Sequence, residues 1–252
     1  MVENYYDSER ALSEYLLFHY GGHEHRIPAA LEDALHFPVR CVSECLEAAR
    51  LPHQARALEL GCAVGRSSFE LARHCQQVLG IDFSARFVSV ATHLRDHGSF
   101  SFNCVEEGEL TWPHRAVVPP GIDRTRVSFE RGDAVQARPG VGQFDVVLMA
   151  NLIDRVGNPA KCLEQLSGLL KAGGQLVITS PYTWLAEYTP RENWLGGFMR
   201  EGQPVRTFDT LKKLLSPHFD FIRRQDLPFV IREHARKYQL GFAEATCWIR
   251  NV

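Results

Sequence analysis

Residues 57–65 read Ala-Leu-Glu-Leu-Gly-Cys-Ala-Val-Gly, an apolar run that breaks into a turn of small residues. The apolar part predicts a short buried strand, which carries one carboxylate at Glu59. Glycine at Gly61 and Gly65, with only a methyl group at Ala63, lets the backbone bend sharply and approach a ligand closely. The turn is therefore predicted to hold a cofactor.

A helix is predicted to follow this turn from Arg66, because Phe69 and Ala72 fall on one face. Amide groups at the start of a helix lack partners within it, so we expect them to face the ligand. Nicotinamide dinucleotides use the same layout, but their fingerprint has glycine at its third and sixth positions. Ala63 and Arg66 occupy those positions here, which weakens the dinucleotide interpretation.

A second apolar run, Val78–Asp82, also ends in a carboxylate, about 20 residues after the glycines. A carboxylate at that place can accept hydrogen bonds from both hydroxyl groups of a ribose. Alternatively, Glu59 and Asp82 are only strand-end carboxylates that cap the next helix. Their occurrence on both sides of the glycine turn favours the cofactor interpretation.

Composition predicts one domain over residues 1–252, with a helical cap at 1–50 and an insertion at 98–126. The 252 residues are 45% hydrophobic, enough for a full core, and the formal net charge is -2 with a pI near 6.6. This charge offers no broad basic surface for phosphate backbones, so we expect no nucleic-acid partner. A small-molecule substrate is the expectation that remains.

The chain shows no signal for a membrane or a metal. Its first residues are polar and acidic, and no run approaches the ~18 apolar residues of a spanning helix, so a cytoplasmic protein is expected. Seven cysteines are scattered without paired metal spacing. Cys41 and Cys45 can share a helix face, but no second pair or histidine cluster accompanies them, so we expect reduced core thiols and no metal.

Strands and helices alternate along the chain, which predicts an α/β sandwich with a largely parallel sheet. Amphipathic helices are expected at 7–20, stopped by Gly21 and Gly22, and at 29–49, both able to fold over the site. Further helices are expected at 84–97 and 159–170, and a strand at 99–105 opens the insertion, followed by a polar loop to Gly121. The seven core strands are expected at 57–60, 78–82, 127–134, 144–150, 175–180, 219–223 and 243–249.

Ligands of open α/β sheets bind beyond the carboxyl ends of the strands, which directs attention to three further segments. Asp133 and Ala134 would lie near an adenine, although a simple Gly-Asp turn is the alternative. Residues 151–155, Asn-Leu-Ile-Asp-Arg, follow an apolar strand and suit a place between cofactor and substrate. Residues 180–184 open an aromatic loop that suits a planar ring, or that packs only on itself.

Taken together, the turn at 57–65 resembles motif I of the class I S-adenosylmethionine (SAM) methyltransferases, in which an acidic residue precedes the glycines as Glu59 does. Further segments resemble the 4-mercaptohistidine N1-methyltransferases of ovothiol biosynthesis, and the resemblance extends from Tyr5 to Tyr238. The segments that carry it are Tyr5–Asp7, Glu14–Gly21, Leu60–Ser67, Glu106–Leu110, Asn151–Arg155 and Ser180–Trp184.

The resemblance implies a Rossmann-like, seven-stranded methyltransferase sandwich with an N-terminal helical extension. It also implies methyl transfer from SAM to the side-chain-proximal imidazole nitrogen of 5-thiohistidine, giving ovothiol A and S-adenosylhomocysteine (SAH), with no metal. In that family the domain is often fused behind a sulfoxide synthase, so the chain is expected to be a stand-alone enzyme or an excised domain. The cofactor residues expected are Glu59, Gly61, Cys62, Ala63, Gly65, Arg66, Asp82, Phe83, Ser84, Asp133, Ala134 and Asn151.

The expected chemistry is mainly one of alignment, since the methyl group of SAM is already electrophilic. A neutral imidazole carries its proton on one nitrogen, so an acceptor facing that N–H selects the reactive tautomer. His19 or Asp154 is expected in this role, with Asn151 as a third catalytic residue. Arg155 is expected to pair with the substrate carboxylate or thiolate. The substrate-binding residues expected are Tyr6, Tyr20, Arg155, Tyr182 and Trp184.

Two rival hypotheses remain open. One is a SAM-dependent methyltransferase of another small metabolite, whose cofactor half would be the same. The other is a catalytically silent SAM-binding module. The only argument against it from the sequence is the presence of polar groups at the strand ends. The sequence predicts no particular oligomeric state.

Overall fold

The computed structural model describes residues 5–21, 29–136, 138 and 140–251, with backbone alone at 29–31 and 33. Parts of the expected cap, residues 1–4 and 22–28, lie outside the described residues, as does Gly22 of the expected helix stop.

Helices cover both faces of a central sheet. They are α1 (Glu9–Tyr20), α2 (Phe37–Ser43), α3 (Arg66–Leu71), α4 (Ala85–His97), α5 (Pro159–Glu164), α6 (Leu166–Leu169) and α7 (Thr207–Leu215). Within the described ranges, no helix combines the length and apolar character needed to cross a membrane.

Eleven strands are assigned in the part of the chain that the structure describes. They are β1 (Arg56–Leu60), β2 (Gln77–Asp82), β3 (Ser99–Glu107), β4 (Leu110–Val117), β5 (Val127–Arg131), β6 (Phe144–Ala150), β7 (Leu170–Ser180), β8 (Phe198–Arg200), β9 (Gln203–Val205), β10 (Phe219–His234) and β11 (Lys237–Arg250).

The central sheet has seven strands in the order β10-β11-β7-β6-β1-β2-β5. β1 pairs in parallel with β2 and β6, β2 with β5, and β6 with β7. β11 runs antiparallel to both β7 and β10. The order reverses at β1, where a crevice opens between the loops after β1 and β6. The expected α/β sandwich of seven strands is confirmed.

The central strand β6 explains why the sheet is buried on both faces. Val146 and Leu148 enter the apolar cluster under α1–α4, whereas Val147 and Met149 enter the cluster under α5–α7. All four side chains are buried. Because successive side chains of a strand point to opposite faces of the sheet, this one apolar strand contributes to both cores.

The second expected cap helix, 29–49, is broken into three pieces, so this prediction was wrong. The structure has a 3-10 helix over Ala29–His36, α2, and a 3-10 turn over Ala48–Arg50. Pro38 lies at the start of α2, a position that tolerates proline but does not continue a preceding helix. After α2, the backbone of Glu47 exchanges two hydrogen bonds with the Gln175 side chain, at 2.8 and 3.0 Å.

The insertion at 98–126 is an antiparallel hairpin of β3 and β4, and β4 replaces the polar loop that was expected. Gly108 makes its turn at φ +56°. The hairpin forms a separate two-stranded sheet, not an added strand at the edge of the main one. It is tied to the end of β10, where Arg232 pairs with Glu106.

Several element ends also differ from the expectation. The third core strand stops at Arg131, before the expected end at 134. The helix expected at 159–170 is split at Gln165 into α5 and α6. β7 begins at Leu170 and continues through the glycines 173 and 174, which were expected to close the preceding helix. Long-range pairing overrides these local turn signals, as in β10 and β11, which extend well beyond their expected ends.

Gly65 combines two constraints that can be separated by substitution. Its φ is +83°, and an added Cβ would lie 2.5 Å from Cζ of Phe129. Gly173 has a similar φ of +76° but nothing within 4 Å. We expect Gly173→Ala to cost about 1–2 kcal/mol through its backbone alone, and Gly65→Ala to cost a further 1–3 kcal/mol, roughly, through overpacking. Urea unfolding of both variants measures the difference, and equal losses would contradict the packing role of Gly65.

Candidate active site

A cavity of about 890 Å³ opens at the carboxyl ends of the parallel strands, with the N-terminal helix as its outer wall. This volume is within the usual range of small-molecule sites. Twelve of the residues expected in the site line it, namely Tyr6, His19, Glu59, Gly61, Ala63, Asp82, Phe83, Ser84, Asp133, Ala134, Asn151 and Arg155. Seven lie outside its wall, namely Tyr20, Cys62, Gly65, Arg66, Asp154, Tyr182 and Trp184.

Left-handed backbone conformations occur in the loops after three strands of the central sheet. Ala63 (φ 45°) and Asn151 (φ 51°), which line the cavity, adopt them after β1 and β6, and Tyr182 (φ 54°) adopts one after β7. Such conformations are costly for residues with a Cβ and persist where the surrounding structure imposes them. The three strand ends are therefore held in shapes that the residues alone do not prefer.

Asp82 joins the two loops that form the cofactor half of the cavity. One of its carboxylate oxygens accepts the Ala63 amide at 2.8 Å, and the other accepts the Ser84 amide at 2.9 Å. Burial raises the pKa of Asp82, while these two amides act against the rise. Each oxygen keeps a further lone pair that can receive a hydroxyl group.

The residues of the glycine turn differ in their roles. Gly61 lines the cavity, and a Cβ there would lie 2.8 Å from Leu152. Gly65 instead begins α3 in a left-handed conformation away from the cavity. Cys62 is fully buried beneath the turn. Of the amides at the start of α3 that were expected to face the ligand, that of Arg66 instead donates to Nδ1 of His19 at 3.4 Å.

Side chains of helix α1 bind backbone atoms of the glycine turn. The hydroxyl of Tyr20 donates to the carbonyl of Val64 at 2.8 Å, next to the bond from Arg66 to His19. Burial and the charge of Arg66 lower the pKa of His19 to about 3. Since Nδ1 of this neutral ring accepts a hydrogen bond, its proton lies on Nε2, and the ring can only donate to a ligand from that atom. Arg66 itself turns away from the cavity to pair with Glu70.

The 3-10 turn at Tyr5–Asp7 docks on the loop after β2. Ser84 caps α4 by accepting the Phe87 amide at 3.2 Å, and its hydroxyl donates to a carboxylate oxygen of Asp7 at 2.7 Å. Arg86 donates to the carbonyl of Asp7 and pairs with Glu9. The N-terminal segment therefore contacts both cofactor loops.

Glu59 lies within β1 but also lines the cavity, and its side chain is almost fully buried. The hydroxyl of Ser68 donates to its carboxyl group. Burial, which outweighs the hydrogen bonds from Ser68 and Ser67, raises the pKa of Glu59 to about 8. This group therefore retains its proton near neutral pH.

One end of the cavity is formed by the segment after β5 and by α5. Asp133 accepts the Val135 amide at 2.8 Å through one oxygen, and the thiol of Cys162 on α5 donates to the carbonyl of Ala134 at 3.1 Å. The exposed ring of Phe83 also lines the cavity. A flat apolar surface next to a carboxylate suits a purine ring with an exocyclic amine.

At the other end, polar groups after β6 meet the end of β7. Asn151 accepts the hydroxyl of Thr179 through Oδ1 at 3.0 Å. Asp154 is fully buried, and its carboxylate accepts the Ser180 hydroxyl and the Thr183 amide, each at 3.0 Å. Burial raises its pKa, against the charge of Arg155. These bonds and the salt bridge to Arg155 use the carboxylate within the protein.

Arg155 is held by only one of its guanidinium nitrogens. Nη1 donates to the Asp154 carboxylate at 2.9 Å, to the Asp154 carbonyl at 2.9 Å and to the Thr183 carbonyl at 2.8 Å. Across the described chain, Nε and Nη2 have no hydrogen-bond partner, and the residue lines the cavity. These two nitrogens form a planar fork of the kind that binds a carboxylate.

Aromatic rings surround this guanidinium. Its carbon lies 5.0 Å from the ring centroid of Tyr188, whose ring is 5.8 Å from that of Tyr6. Tyr15 is hydrogen-bonded to Tyr6 through their hydroxyls and lies 5.0 Å from Phe87, centroid to centroid. Only Tyr6 of these rings was among the expected site residues. Tyr15 was identifiable from its place one helical turn before His19, and Tyr188 begins the predicted aromatic loop.

Two aromatic residues expected to bind substrate are hydrogen-bonded to other parts of the protein. Tyr182 donates its hydroxyl to Glu244 on β11 at 2.8 Å. Trp184 is buried, donates to the Thr207 hydroxyl at 3.0 Å and stacks on Trp194 at 6.3 Å. Neither lines the cavity. Among the described residues, no group of three His, Cys, Asp or Glu side chains is placed to hold a metal ion.

The raised pKa of Glu59 predicts a pH-dependent stability. Between the ordinary glutamate pKa and about 8, folded Glu59 holds a proton that the unfolded chain releases. The free energy of unfolding therefore falls as pH rises through this window, by up to about 1.4 kcal/mol per pH unit. Glu59→Gln lacks this titration, so its free energy of unfolding relative to that of the wild type should increase between about pH 5.5 and about pH 7.5. Urea unfolding at the two pH values checks this, and parallel changes in both proteins would contradict it.

Residues 58–176 match the family described as "Methyltransferase domain". Among curated proteins, the chain is similar to the ubiquinone biosynthesis O-methyltransferase of Xanthomonas axonopodis pv. citri (strain 306), with 29% identity over 143 residues, 57% of this chain and 49% of that protein. It is also similar to the magnesium-protoporphyrin O-methyltransferase of Rhodobacter capsulatus, with 28% identity over 155 residues, 57% of this chain and 58% of that protein. The chain thus spans about half the length of the curated relatives it matches.

Two solved structures are similar over nearly the whole chain. The magnesium protoporphyrin IX methyltransferase of Synechocystis PCC 6803 with bound SAM has a TM-score of 0.59 at 15% identity, covering 99% of this chain and 95% of that one. The cyclase SpnF has a TM-score of 0.61 at 17% identity, covering 98% and 94%. At these identities the likeness is one of fold, and a fold does not fix a reaction. The family match thus identifies a methyltransferase domain at residues 58–176, a range that includes the loops after β1, β2, β5 and β6 that line the cavity.

Proposed function

We propose that this protein is a SAM-dependent N-methyltransferase that methylates the side-chain-proximal imidazole nitrogen of 5-thiohistidine and gives ovothiol A and SAH. The observation that carries this proposal is the unpartnered guanidinium fork of Arg155 in an aromatic chamber beside the cofactor loops. A planar ring with an anionic group matches this chamber. The similarity of the N-terminal segment, the segment after β6 and the segment after β7 to ovothiol methyltransferases gives the substrate.

In this proposal SAM lies along the strand ends. Asp82 receives the ribose hydroxyls on its remaining lone pairs, and the segment at 132–135 with Phe83 holds the adenine. The methionine part lies over Gly61 and Ala63, within reach of the Nε2 proton of His19. SAM supplies an electrophilic methyl group, so the protein's main task is to align the acceptor nitrogen with it.

The roles of His19 and Asp154 change from those expected from sequence. Nδ1 of His19 already accepts the Arg66 amide, so His19 acts as a donor and not as the acceptor that selects the substrate tautomer. Asp154 is a positioning residue, because its buried carboxylate fixes Nη1 of Arg155 and leaves the other nitrogens directed at the cavity. Tyr6 and Tyr188 bound the acceptor ring on the same side as Arg155.

The proposal predicts one product from one incubation. With SAM and 5-thiohistidine, mass spectrometry should show the mass gain of a single methyl transfer, and fragmentation should place it on the ring nitrogen next to the side chain. Methylation on sulfur, or no product, would contradict the proposal. Turnover of phenols or porphyrins in preference to thiohistidine would support the rival methyltransferase, and SAM binding without any product would support the silent module.

Asp82 is predicted to control cofactor affinity. Asp82→Asn should weaken SAH binding about 10–100-fold in isothermal titration calorimetry, because charged hydrogen bonds to the ribose are lost. Asp154→Asn should retain SAH affinity while slowing turnover, since Asp154 acts through Arg155.

Asp145→Asn is the matched control for Asp82→Asn. Asp145 is buried and, like Asp82, accepts a backbone amide, that of Arg56 at 2.8 Å, but it lies at the opposite end of the sheet. Its substitution should leave SAH affinity unchanged. A loss of SAH binding equal to that of Asp82→Asn would mean that the effect is general destabilisation.

A further inference from the structure

An exposed carboxylate that the sequence did not single out lines the same cavity as Arg155. Glu187 lines the cavity, directly before Tyr188, whose ring lies 5.0 Å from the guanidinium carbon of Arg155. Among the described residues, no basic side chain lies within ion-pair distance of Glu187 and no donor is hydrogen-bonded to it. The wall of one cavity thus presents an unused guanidinium fork and an unused carboxylate.

The two groups do not neutralise each other. Arg155 is paired with Asp154 at 2.9 Å, on the side away from the fork, and forms no salt bridge with Glu187. Opposite charges that stay apart on one cavity wall are complementary to a zwitterion. The α-carbon of an amino acid carries such a pair, a carboxylate that fits a guanidinium fork and an ammonium group that requires an acceptor.

Lys161 also lines the cavity, but from a different element. It is on α5, whose Cys162 donates to the carbonyl of Ala134 at 3.1 Å, so α5 lies against the segment after β5. Arg155 is the cation whose guanidinium contacts the ring of Tyr188, and it is therefore the anchor assigned to the carboxylate.

We propose that Arg155 and Glu187 form a two-point site for the α-carboxylate and α-ammonium groups of an amino-acid acceptor. Tyr188 directly follows Glu187 in the sequence, and its ring centroid is 5.0 Å from the guanidinium carbon of Arg155, so it bounds the amino-acid end of the ligand. The side-chain ring then extends toward Tyr6, Tyr15 and Phe87. This assignment rests on the proposed function for the identity of the ring, and it adds Glu187 as a specificity-determining residue.

Binding of three imidazole ligands to the SAH-saturated protein tests this site without any methyl transfer. L-Histidine carries both charged groups, imidazolepropionate lacks the ammonium group, and histamine lacks the carboxylate. In calorimetry the wild type should bind histidine about tenfold or more tightly than either analogue, the effect of one hydrogen bond to a charged group. Glu187→Gln should lose the preference over imidazolepropionate but keep the preference over histamine, and Arg155→Lys should do the reverse.

The matched control is Glu192→Gln, an exposed glutamate of the same segment that does not line the cavity. This variant should keep both preferences, and unchanged SAH affinity shows that each variant is folded. Equal weakening of all three ligands by Glu187→Gln would overturn the ammonium assignment and would indicate a contact with the ring. A wild type without preference for histidine over imidazolepropionate would also overturn it.

These outcomes are separate from the fate of the proposed function. If thiohistidine is methylated but Glu187→Gln does not alter the preference for the ammonium group, the reaction stands and the two-point site is wrong. If histidine shows the predicted dependence on both residues but thiohistidine gives no product, the amino-acid site stands and the acceptor ring has been misidentified.

Discussion

The bridge made by the Asp82 carboxylate between the Ala63 and Ser84 amides is the interaction on which the site depends. It fixes the loop after β1 against the loop after β2, and the N-terminal segment docks on both. Ala63 has to adopt a left-handed conformation to present its amide, and the charge-assisted hydrogen bond offsets part of that cost. In the proposed function the same carboxylate also receives the ribose, so it shapes the surface on which the rest of the cofactor lies.

Carboxylates at the edge of this cavity have distinct electrostatic roles. Glu59 is desolvated and holds a proton near neutral pH, whereas Asp154 is held by two neutral donors and by the guanidinium of Arg155. His19 is kept neutral by burial. Charge that can reach a ligand is thus concentrated on a few groups, among them Arg155, whose guanidinium lies against the ring of Tyr188.

The sequence predicted the sheet well, because it follows from local patterns. Apolar runs of four to seven residues that end in polar groups became the parallel strands, and the strand ends came together as the rule for open sheets requires. Nine of the twelve expected cofactor residues line the cavity, but of the five expected substrate-binding residues only Tyr6 and Arg155 do. Asp154, Tyr182 and Trp184 have the residue types of a binding site, but their polar atoms are bonded to Ser180, Glu244 and Thr207.

Such partners are distant in the chain, so a single sequence does not reveal them. The same holds for the broken helix at 29–49 and for strand β4, which depend on packing between remote segments. Glu187 and Tyr15 were missed for the opposite reason, since an isolated glutamate or a tyrosine on an amphipathic helix looks ordinary until the cavity is known.

The glycine turn is held through its backbone, whereas the chamber is lined by side chains, and this difference affects how the protein can diverge. The N-terminal helix is hydrogen-bonded to the Val64 carbonyl and the Arg66 amide of the glycine turn. Both are backbone groups, so these bonds do not depend on the side chains at the two positions. The acceptor chamber, in contrast, is defined by the side chains of a few residues in the N-terminal segment and after β7. Under the proposed function, point substitutions in the chamber change which acceptor fits, while the backbone contacts of the glycine turn stay the same.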